Sequence, residues 1–231
     1  FNNFINHVVD SKIFSKGLMF FSSRYRIFTK NYIKGNFKFY IYQLFGGINF
    51  KNKNVLDIGS GTGIFSIYSS FAGAKHVSSL EPEDEGSSER MLENFNQLKK
   101  MFNCNNIEII DKKIQDFNHE NIKYDIVILH NTINHLDEES TINLDNSKIS
   151  QKKFINIFSD IKKRLNKNAT IIITDCSKYN FFGDIGLKNP FAPQIEWKKH
   201  NSPYVWKKIL QQSQYNSINV EWINHNSLRT A

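Results

Sequence analysis

The chain has 231 residues, of which 40% are hydrophobic and 23% charged, and this composition is typical of a globular protein that can bury its own core. Its apolar runs, such as 124–129 and 170–174, are much shorter than the roughly 18 residues of a bilayer span, so we expect no membrane-spanning helix. The formal net charge of +8 raises nucleic acid as a partner, but the lysine pairs are scattered and form no stripe with interleaved aromatic residues, so a solvated surface is the interpretation that we favour.

The two cysteines indicate the compartment of the protein. Cys104 and Cys176 are far apart in the sequence and show no metal-ligand spacing, so we predict neither a disulfide framework nor a structural zinc site. The chain shows no signal-peptide pattern. We therefore expect a reducing, cytoplasmic location.

The first 50 residues are rich in aromatic side chains and turn residues. A helix is predicted over about 36–45, and Gly46 and Gly47 end it because glycine adopts the left-handed conformation that closes many helices. We interpret residues 1–50 as an N-terminal helical cap, which leaves residues 51–231 for the main domain.

From residue 54 onward, short apolar runs alternate with helical periodicity, a pattern typical of strand–helix–strand units with parallel strands. The predicted strands are 54–58, 76–81, 106–111, 124–129, 169–175 and 217–223, and continuous Val, Ile and Leu content predicts that the first five are buried on both faces. The predicted helices are 62–73, 84–103, 149–165 and 203–212, the last with Ser202 as N-cap and Pro203 at its first position. The fold class is therefore α/β, doubly wound around a mostly parallel sheet with helices on both faces.

The segment from about 177 to 206 is too long for an ordinary connection between a strand and a helix. Long connections of this kind are usually functional, so we interpret it as a substrate segment. Its aromatic side chains are candidates for the wall of a pocket: Tyr179, Phe181, Phe182, Phe191 and Trp197.

A glycine-rich turn follows the first predicted strand, with the sequence Asp57-Ile58-Gly59-Ser60-Gly61-Thr62-Gly63. Glycines let the backbone turn sharply and let a ligand approach the main chain, so the turn predicts a nucleotide-like ligand. A dinucleotide-binding turn would carry glycine at position 64, where Ile64 stands, and this departure weakens a nicotinamide interpretation.

The turn resembles the first motif of class I S-adenosylmethionine-dependent methyltransferases, an acidic residue followed by alternating glycines, with Asp57, Gly59, Gly61 and Gly63 at the defining positions. Two further matches follow in order, namely Glu81 at the end of the second strand and residues 124–136, which form the fourth strand and the turn after it. The resemblance covers residues 53–176. It implies a Rossmann-like fold, S-adenosylmethionine as cofactor and an in-line transfer of its methyl group.

The resemblance also implies roles for particular residues. Glu81 would accept hydrogen bonds from the two ribose hydroxyls, and Asp57 would lie beside the methionine amino group. Lys113 stands where many members carry an Asp that binds adenine, so the adenine contact is assigned to the region of Ile114. The expected cofactor-binding residues are Asp57, Gly59, Ser60, Gly61, Gly63, Glu81, Ile114 and His130.

A hydroxyl acceptor would need a general base, which an amine acceptor does not require. His130, His135 and Asp175 are the candidate catalytic residues, because each follows the carboxyl end of a predicted strand, where ligands bind in open α/β sheets. Residues 137–139 are interpreted as a helix start, so no metal is expected.

The acceptor that we favour is a small molecule or a saccharide, methylated on oxygen or nitrogen. No Asn-Pro-Pro-Tyr signature follows the fourth strand, which disfavours N-methylation of adenine or of a glutamine amide. An RNA methyltransferase is the alternative that the positive charge supports, and a non-catalytic module that only binds S-adenosylmethionine is a third hypothesis. The sequence indicates no oligomeric state.

Sheets of this family usually close with a seventh, antiparallel strand, and six strands are predicted here before residue 231. Because the chain also begins with Phe1 in place of Met, we expect a fragment of a longer reading frame. Such a fragment would expose an edge beside the fifth strand and would be less soluble than a longer version.

Overall fold

The computed structural model describes residues 4–5, 30–82, 91–118, 122–179, 181–187, 189 and 195–223. These residues form two compact units. The first unit contains the described residues up to 111 together with 222 and 223, and the second contains those from 112 to 221.

Parallel strands alternate with helices in the first unit. The strands lie in the order β3-β2-β1, with Asn54 opposite His76 and Val77 opposite Ile107. Ile58 pairs with Leu80, so β1 and β2 end side by side. The elements are α1 (Lys30–Phe45), β1 (Asn54–Ile58), α2 (Ile64–Phe71), β2 (His76–Leu80), α3 (Met91–Met101) and β3 (Ile107–Ile110).

Aromatic side chains hold α1 against α2. Phe45 stacks on Tyr68 with ring centroids 5.0 Å apart, and Phe50 meets the same ring edge-on at 5.5 Å. Phe4 and Phe37, both fully buried, lie beside this cluster with ring centroids 6.2 Å apart. α1 and the residues that join it to β1 are therefore fixed to α2.

The second unit is built on a parallel pair of strands, in which His130 lies opposite Thr174. Two of its helices pack through Phe154 and Trp206, whose rings meet edge-on with centroids 5.0 Å apart. Short 3-10 turns lie at Ile133–His135 and Trp197–Lys199. The elements are β4 (Tyr124–His130), α4 (Glu138–Ile142), α5 (Lys148–Lys163), β5 (Leu165–Thr174), α6 (Phe181–Asp184) and α7 (Pro203–Gln212).

Side-chain caps begin the helices of this unit. Asp137 accepts a hydrogen bond from the Ser140 amide at 2.9 Å, which confirms that residues 137–139 start a helix. Ser202 accepts one from the Tyr204 amide at 3.2 Å, and Pro203 occupies the first helical position as predicted. Each cap satisfies a backbone donor that the helix itself leaves unpaired.

The predicted fold class is confirmed. Each of the five described strands pairs in parallel with a neighbour in its own unit, and helices alternate with the strands along the chain. This is the α/β, doubly wound and mostly parallel Rossmann-like arrangement. Among the described residues, no helix combines the length and the apolar character that crossing a bilayer requires.

Three expectations about individual elements need correction. α1 begins at Lys30 and not near residue 36. The helix continues through the exposed Gly35, where a Cβ would meet none of the described residues within 4 Å, because a glycine inside a helix costs only about 1 kcal/mol. β5 begins at Leu165 and is half-buried or exposed along its whole length, so it is not covered on both faces. β3 is likewise only partly buried.

A further correction concerns residues 217–223, which form no strand. Asn219 uses its side chain locally, accepting from the Val220 amide at 3.0 Å and donating to Glu221 at 2.7 Å. Such local bonds compete with a strand ladder. Ser217 also has a φ of 54°, which is incompatible with extended backbone. Of the predicted helix 84–103, α3 covers 91–101, and residues 84–90 lie outside the described part.

The contact between α5 and α7 leads to a stability prediction. Replacing the fully buried Phe154 with Ala should lower the free energy of unfolding by about 3–5 kcal/mol, because the change removes a ring from a packed core. Ile149→Ala, on the same helix but 75% exposed, should change it by less than about 0.5 kcal/mol. Urea unfolding of both variants measures the difference, and equal effects would contradict the packing described here.

Candidate active site

The glycine turn after β1 is held by the end of β2. The amides of Gly59 and Ser60 both donate to the Leu80 carbonyl, at 2.8 and 3.0 Å, and the Gly63 amide donates to the Ser60 carbonyl at 2.9 Å. The φ angles of Gly59, Gly61 and Gly63 are 66°, 55° and 76°, a region that strongly favours glycine. The turn therefore depends on its three glycines.

Gly61 and Gly63 serve different purposes. A Cβ built on Gly63 would lie 2.1 Å from the Phe95 ring, so this glycine lets α2 begin against α3. Among the described residues, a Cβ on Gly61 would meet only the Met91 methyl group, at 3.7 Å. The described residues thus leave the space over Gly61 open to a ligand, whereas the absent side chain of Gly63 is needed for packing.

Glu81 follows β2 and turns its carboxylate onto the glycine turn. Its Oε2 accepts a hydrogen bond from the Gly61 amide at 2.7 Å, and the residue is 8% exposed. The Ser60 hydroxyl is buried and finds no hydrogen-bond partner among the described residues. A buried polar group without a partner is costly unless a ligand or water satisfies it, so the turn fits a polar ligand.

Asp57, in β1, is buried beneath the turn. The Ser66 hydroxyl donates to Oδ2 at 2.6 Å, and because its single proton is used there, the Ser79 hydroxyl donates to Ser66 at 2.7 Å. Burial raises the pKa of Asp57 to about 7, with a further rise from the charge of Glu81, and the bond from Ser66 only partly opposes this. A cationic ligand group at Asp57 would reverse the shift.

In the second unit, the carboxyl ends of β4 and β5 lie together. His130 pairs with Thr174, and the Asn131 amide donates to the Thr174 carbonyl at 2.8 Å. Burial lowers the pKa of His130 to about 4, so this imidazole is neutral at pH 7. Ile114 is 5% exposed, so its side chain is packed in the core.

His135 lies on the surface of this unit. Its side chain is 53% exposed, and Nδ1 lies 2.7 Å from the Glu138 carboxylate. Lys199 pairs with the other oxygen of Glu138 at 2.8 Å. Nε2 is 3.3 Å from the amide nitrogen of Asn134, which is 2% exposed. Both ring nitrogens are therefore engaged in a surface network.

Asp175 directly follows β5 and has a partner that the sequence did not reveal. Its Oδ1 accepts from the Cys176 amide at 2.8 Å and lies 2.9 Å from His200 Nδ1. The carboxyl side chain is 7% exposed and the imidazole 12%. The sequence analysis did not predict His200, because 25 residues separate it from Asp175. The one available signal was its position two residues before the Ser202 cap.

The predicted residues therefore form one group in each unit. The glycine turn, Asp57 and Glu81 meet in the first unit. His130 and Asp175 lie at neighbouring strand ends in the second, whereas His135 points into the surface network.

Comparison with known proteins identifies the family. A methyltransferase domain family matches residues 49–221, well over half of the chain. The chain belongs to this family of methyltransferases. The predicted membership of the class I, S-adenosylmethionine-dependent methyltransferases is thereby confirmed, and S-adenosylmethionine is the cofactor of this family.

Individual similarities are more distant. The chain is 37% identical over 67 residues to "Protein arginine N-methyltransferase 1" of Caenorhabditis elegans. This alignment covers 29% of this chain and 18% of the C. elegans protein. Its fold is similar to that of "StiE O-MT residues 961-1257", with a TM-score of 0.56, 14% identity, and 80% and 53% of the two chains covered. It is also similar to a SAM dependent methyltransferase from Aquifex aeolicus, with a TM-score of 0.50, 17% identity, and 71% and 72% covered. The chain thus spans under a fifth of the C. elegans protein and about half of the StiE chain.

The raised pKa of Asp57 predicts a pH dependence of stability. The unfolded carboxyl loses its proton near pH 4 and the folded one near pH 7, so the folded state binds more protons between these values and stability falls as the pH rises through this window. Between pH 5 and pH 8, the cofactor-free wild type should lose about 2–3 kcal/mol relative to Asp57→Asn, which cannot ionise. Urea unfolding at both pH values measures this, and parallel profiles would contradict the raised pKa.

Proposed function

We propose that this methyltransferase transfers a methyl group from S-adenosylmethionine to an oxygen or nitrogen atom of a small-molecule or saccharide acceptor. The observation that carries the proposal is the cradle after β1, where the described residues leave space over Gly61 beside the Glu81 carboxylate and give the Ser60 hydroxyl no partner. When bound, S-adenosylmethionine supplies an electrophilic methyl group on a positively charged sulfur.

The residues of the cradle suit the other parts of that cofactor. The two oxygens of the Glu81 carboxylate would bind the vicinal ribose hydroxyls, since one carboxylate accepts from two donors. Asp57 would attract the methionine ammonium. The positive charge of that ammonium would lower the raised pKa of Asp57, so the carboxyl group would ionise when the cofactor binds. Ser60 and the amides of the glycine turn would hold the remaining polar atoms. Ile114 and His130, the other two residues of the predicted binding set, belong to the second unit.

Charge pairing in the second unit supports a small acceptor over RNA. Four of its lysines have a carboxylate partner: Lys153 lies 3.4 Å from Asp137, Lys163 lies 2.7 Å from Asp160, Lys178 pairs with Asp145, and Lys199 pairs with both Glu138 and Glu196. Paired lysines contribute less to binding of a polyanion, because each phosphate contact must first displace a carboxylate.

The proposed substrate segment, about 177–206, offers both polar and apolar contacts. Thr174 Oγ1 and Asp175 Oδ2 at the end of β5 are buried and have no partner in the described part of the chain. Tyr179 and Phe181 are 56% and 70% exposed. A compound with hydroxyl groups and an apolar face would match this combination. Phe191, predicted to line the same pocket, lies outside the described residues.

Protein arginine is a second candidate acceptor, which the name of the C. elegans relative favours. The net charge of +8 argues against it, because a positively charged chain repels a cationic peptide. A small or saccharide acceptor therefore remains the preferred proposal.

Gly61→Val tests the cradle directly. A β-branched side chain there would fill the space over the turn, so affinity for S-adenosylhomocysteine should fall at least about 100-fold in calorimetric titration. Gly47→Val is the matched control, since Gly47 also has a positive φ and nothing within 4 Å of its Cβ position, and it should bind as the wild type does. Equal affinity of Gly61→Val and Gly47→Val would remove the cradle as the binding site.

Methyl transfer itself is tested with S-adenosylmethionine carrying a deuterated methyl group. The acceptors are methyl glucoside, phenol, aniline, an RNA oligonucleotide and an arginine-containing peptide, and mass spectrometry detects the labelled product. We expect product from one or more of the three small acceptors and none from the RNA or the peptide. Cofactor binding without turnover of any acceptor would instead indicate a non-catalytic module.

A further inference from the structure

We infer that Ser66 and Ser79 position the Asp57 carboxyl group so that one of its oxygens exchanges a proton for the ammonium group of the cofactor. The inference rests on the proposed cofactor site and goes further, because it gives a role to two serines behind that site and predicts that binding releases a proton. All three residues belong to the first unit, with Asp57 in β1, Ser66 in α2 and Ser79 in β2.

The two serine hydroxyls form a hydrogen-bonded chain that has one direction. Ser66 Oγ lies 2.6 Å from Asp57 Oδ2 and 2.7 Å from Ser79 Oγ. A hydroxyl has a single proton to donate, and an ionised carboxylate oxygen only accepts. If Ser66 donated to Ser79 instead, Oδ2 would lose its donor, and the Ser79 proton would have no acceptor among the described residues. The chain therefore runs from Ser79 to Ser66 to Oδ2.

The chain lies inside the protein. Ser66 and Ser79 are fully buried, and Asp57 is 1% exposed. A buried hydroxyl costs free energy unless it is hydrogen-bonded, so both serines need the bonds that this chain gives them. The carboxyl group is thus held from α2 directly and from β2 through Ser66.

The bond from Ser66 is compatible with both protonation states of Asp57. A neutral carboxyl group has one oxygen that carries the proton and one that accepts, and Ser66 uses Oδ2 as the acceptor. Oδ1 is therefore the oxygen that carries the proton in the neutral form. In the ionised form, the negative charge makes the same oxygen a partner for a cationic group. A proton and an ammonium group thus compete for Oδ1.

The charges of the first unit favour this exchange. Burial raises the pKa of Asp57 to about 7 against the opposing bond from Ser66, and the negative charge of Glu81 adds to the rise. The other titratable groups on α2 and β2 are Tyr68, which packs in the aromatic cluster, and His76, at the far end of β2. No cation pairs with Asp57 among the described residues. A ligand ammonium group would supply the missing positive charge.

Ser66 also contributes its backbone amide. It is the third residue of α2, so the helix leaves this amide without an intrahelical acceptor. Against burial, which is the larger influence, the hydroxyl and the amide of Ser66 both lower the pKa of Asp57. Ser66 therefore favours the ionised carboxylate that binds a cation, whereas burial favours the proton while no cation is present.

The exchange conserves protons and charge. Below pH 7 and without cofactor, Oδ1 mostly carries a proton on a neutral carboxyl group. When the ammonium group binds, this O–H bond breaks, the proton passes to solvent and the carboxylate pairs with the ammonium group, which keeps its own protons. Binding thus releases a proton from each neutral Asp57, and affinity rises with pH.

Calorimetric titration with S-adenosylhomocysteine, in buffers that differ in ionisation enthalpy, counts the released protons. With a pKa of about 7, about nine-tenths of Asp57 is protonated at pH 6 and about one-tenth at pH 8, so the proton release should fall between these values. The affinity of the wild type should rise by about 10-fold over the same range. Asp57→Asn should show neither effect, because its amide does not ionise.

The ligand control is 5′-methylthioadenosine, which keeps the nucleoside and the thioether but lacks the ammonium group. Its affinity for the wild type should be equal at pH 6 and pH 8, and Asp57→Asn should bind it as the wild type does.

Ser66→Ala and Ser79→Ala test the positioning role. Without the Ser66 hydroxyl, Asp57 ionises less readily, so the rise in affinity should move to higher pH and the affinity for S-adenosylhomocysteine at pH 7 should fall by about 10-fold. Ser79→Ala should cause a smaller change in the same direction. Ser69→Ala is the matched control, since Ser69 is also fully buried in α2 but donates to the Phe65 carbonyl at 2.7 Å, and it should keep the wild-type pH profile.

A second measurement observes the carboxyl group without ligand. Carbon-13 spectra of the aspartate side chains should show Asp57 titrating near pH 7 in the cofactor-free wild type and in Ser69→Ala, and at higher pH in Ser66→Ala. A merely structural role of Ser66 would lower stability and leave this midpoint unchanged. Circular dichroism verifies the folding of each variant.

The outcomes separate this inference from the proposed function. A wild type that binds neither S-adenosylhomocysteine nor 5′-methylthioadenosine between pH 6 and pH 8 would overturn the proposed function, and the proton exchange with it. Binding of S-adenosylhomocysteine with the same pH profile in the wild type and in Asp57→Asn would overturn only the proton exchange. Identical profiles of Ser66→Ala and Ser69→Ala would overturn the positioning role of Ser66.

Discussion

The position of the glycine turn in the first unit depends on a single backbone carbonyl group. The Leu80 oxygen, at the end of β2, accepts from two consecutive amides of the glycine turn, those of Gly59 and Ser60. Since β1 and β2 run in parallel and end side by side, this carbonyl fixes where the turn leaves the sheet. The next residue, Glu81, is then close enough to accept from the Gly61 amide. A parallel register with glycines at the strand end thus creates a polar cradle from mostly backbone groups.

Two buried carboxyl groups show how environment decides their chemistry. Asp57 has hydroxyl partners but no cation, so burial raises its pKa to about 7, and it is suited to gain a positively charged ligand group. Asp175 has an imidazole as partner, and its negative charge is suited to orient and stabilise that ring. The same residue type thus has hydroxyl partners in one unit and an imidazole partner in the other.

Much of the fold and of the arrangement around the glycine turn was predictable, because both depend on local patterns. Continuous apolar runs indicated the five described strands, and the spacing from the glycine turn placed Glu81 at the end of β2. Local patterns do not report side-chain competition, so the strand expected at 217–223 was wrong where Asn219 bonds its own neighbours. They also do not report long-range pairing. His200 meets Asp175 only because Asn201 and the α7 cap return the chain to the end of β5.

The central proposal is that the glycine turn with Glu81 is the S-adenosylmethionine site of this methyltransferase. Amide spectra of the nitrogen-15-labelled protein, recorded during titration with S-adenosylhomocysteine and separately with NAD, test it most directly. S-adenosylhomocysteine should move the Gly59, Ser60, Gly61 and Glu81 signals, with Gly61 affected because its hydrogen bond to Glu81 is rearranged, and NAD should leave them in place. Signals of the turn that stay unmoved by S-adenosylhomocysteine, or that respond to NAD instead, would contradict it.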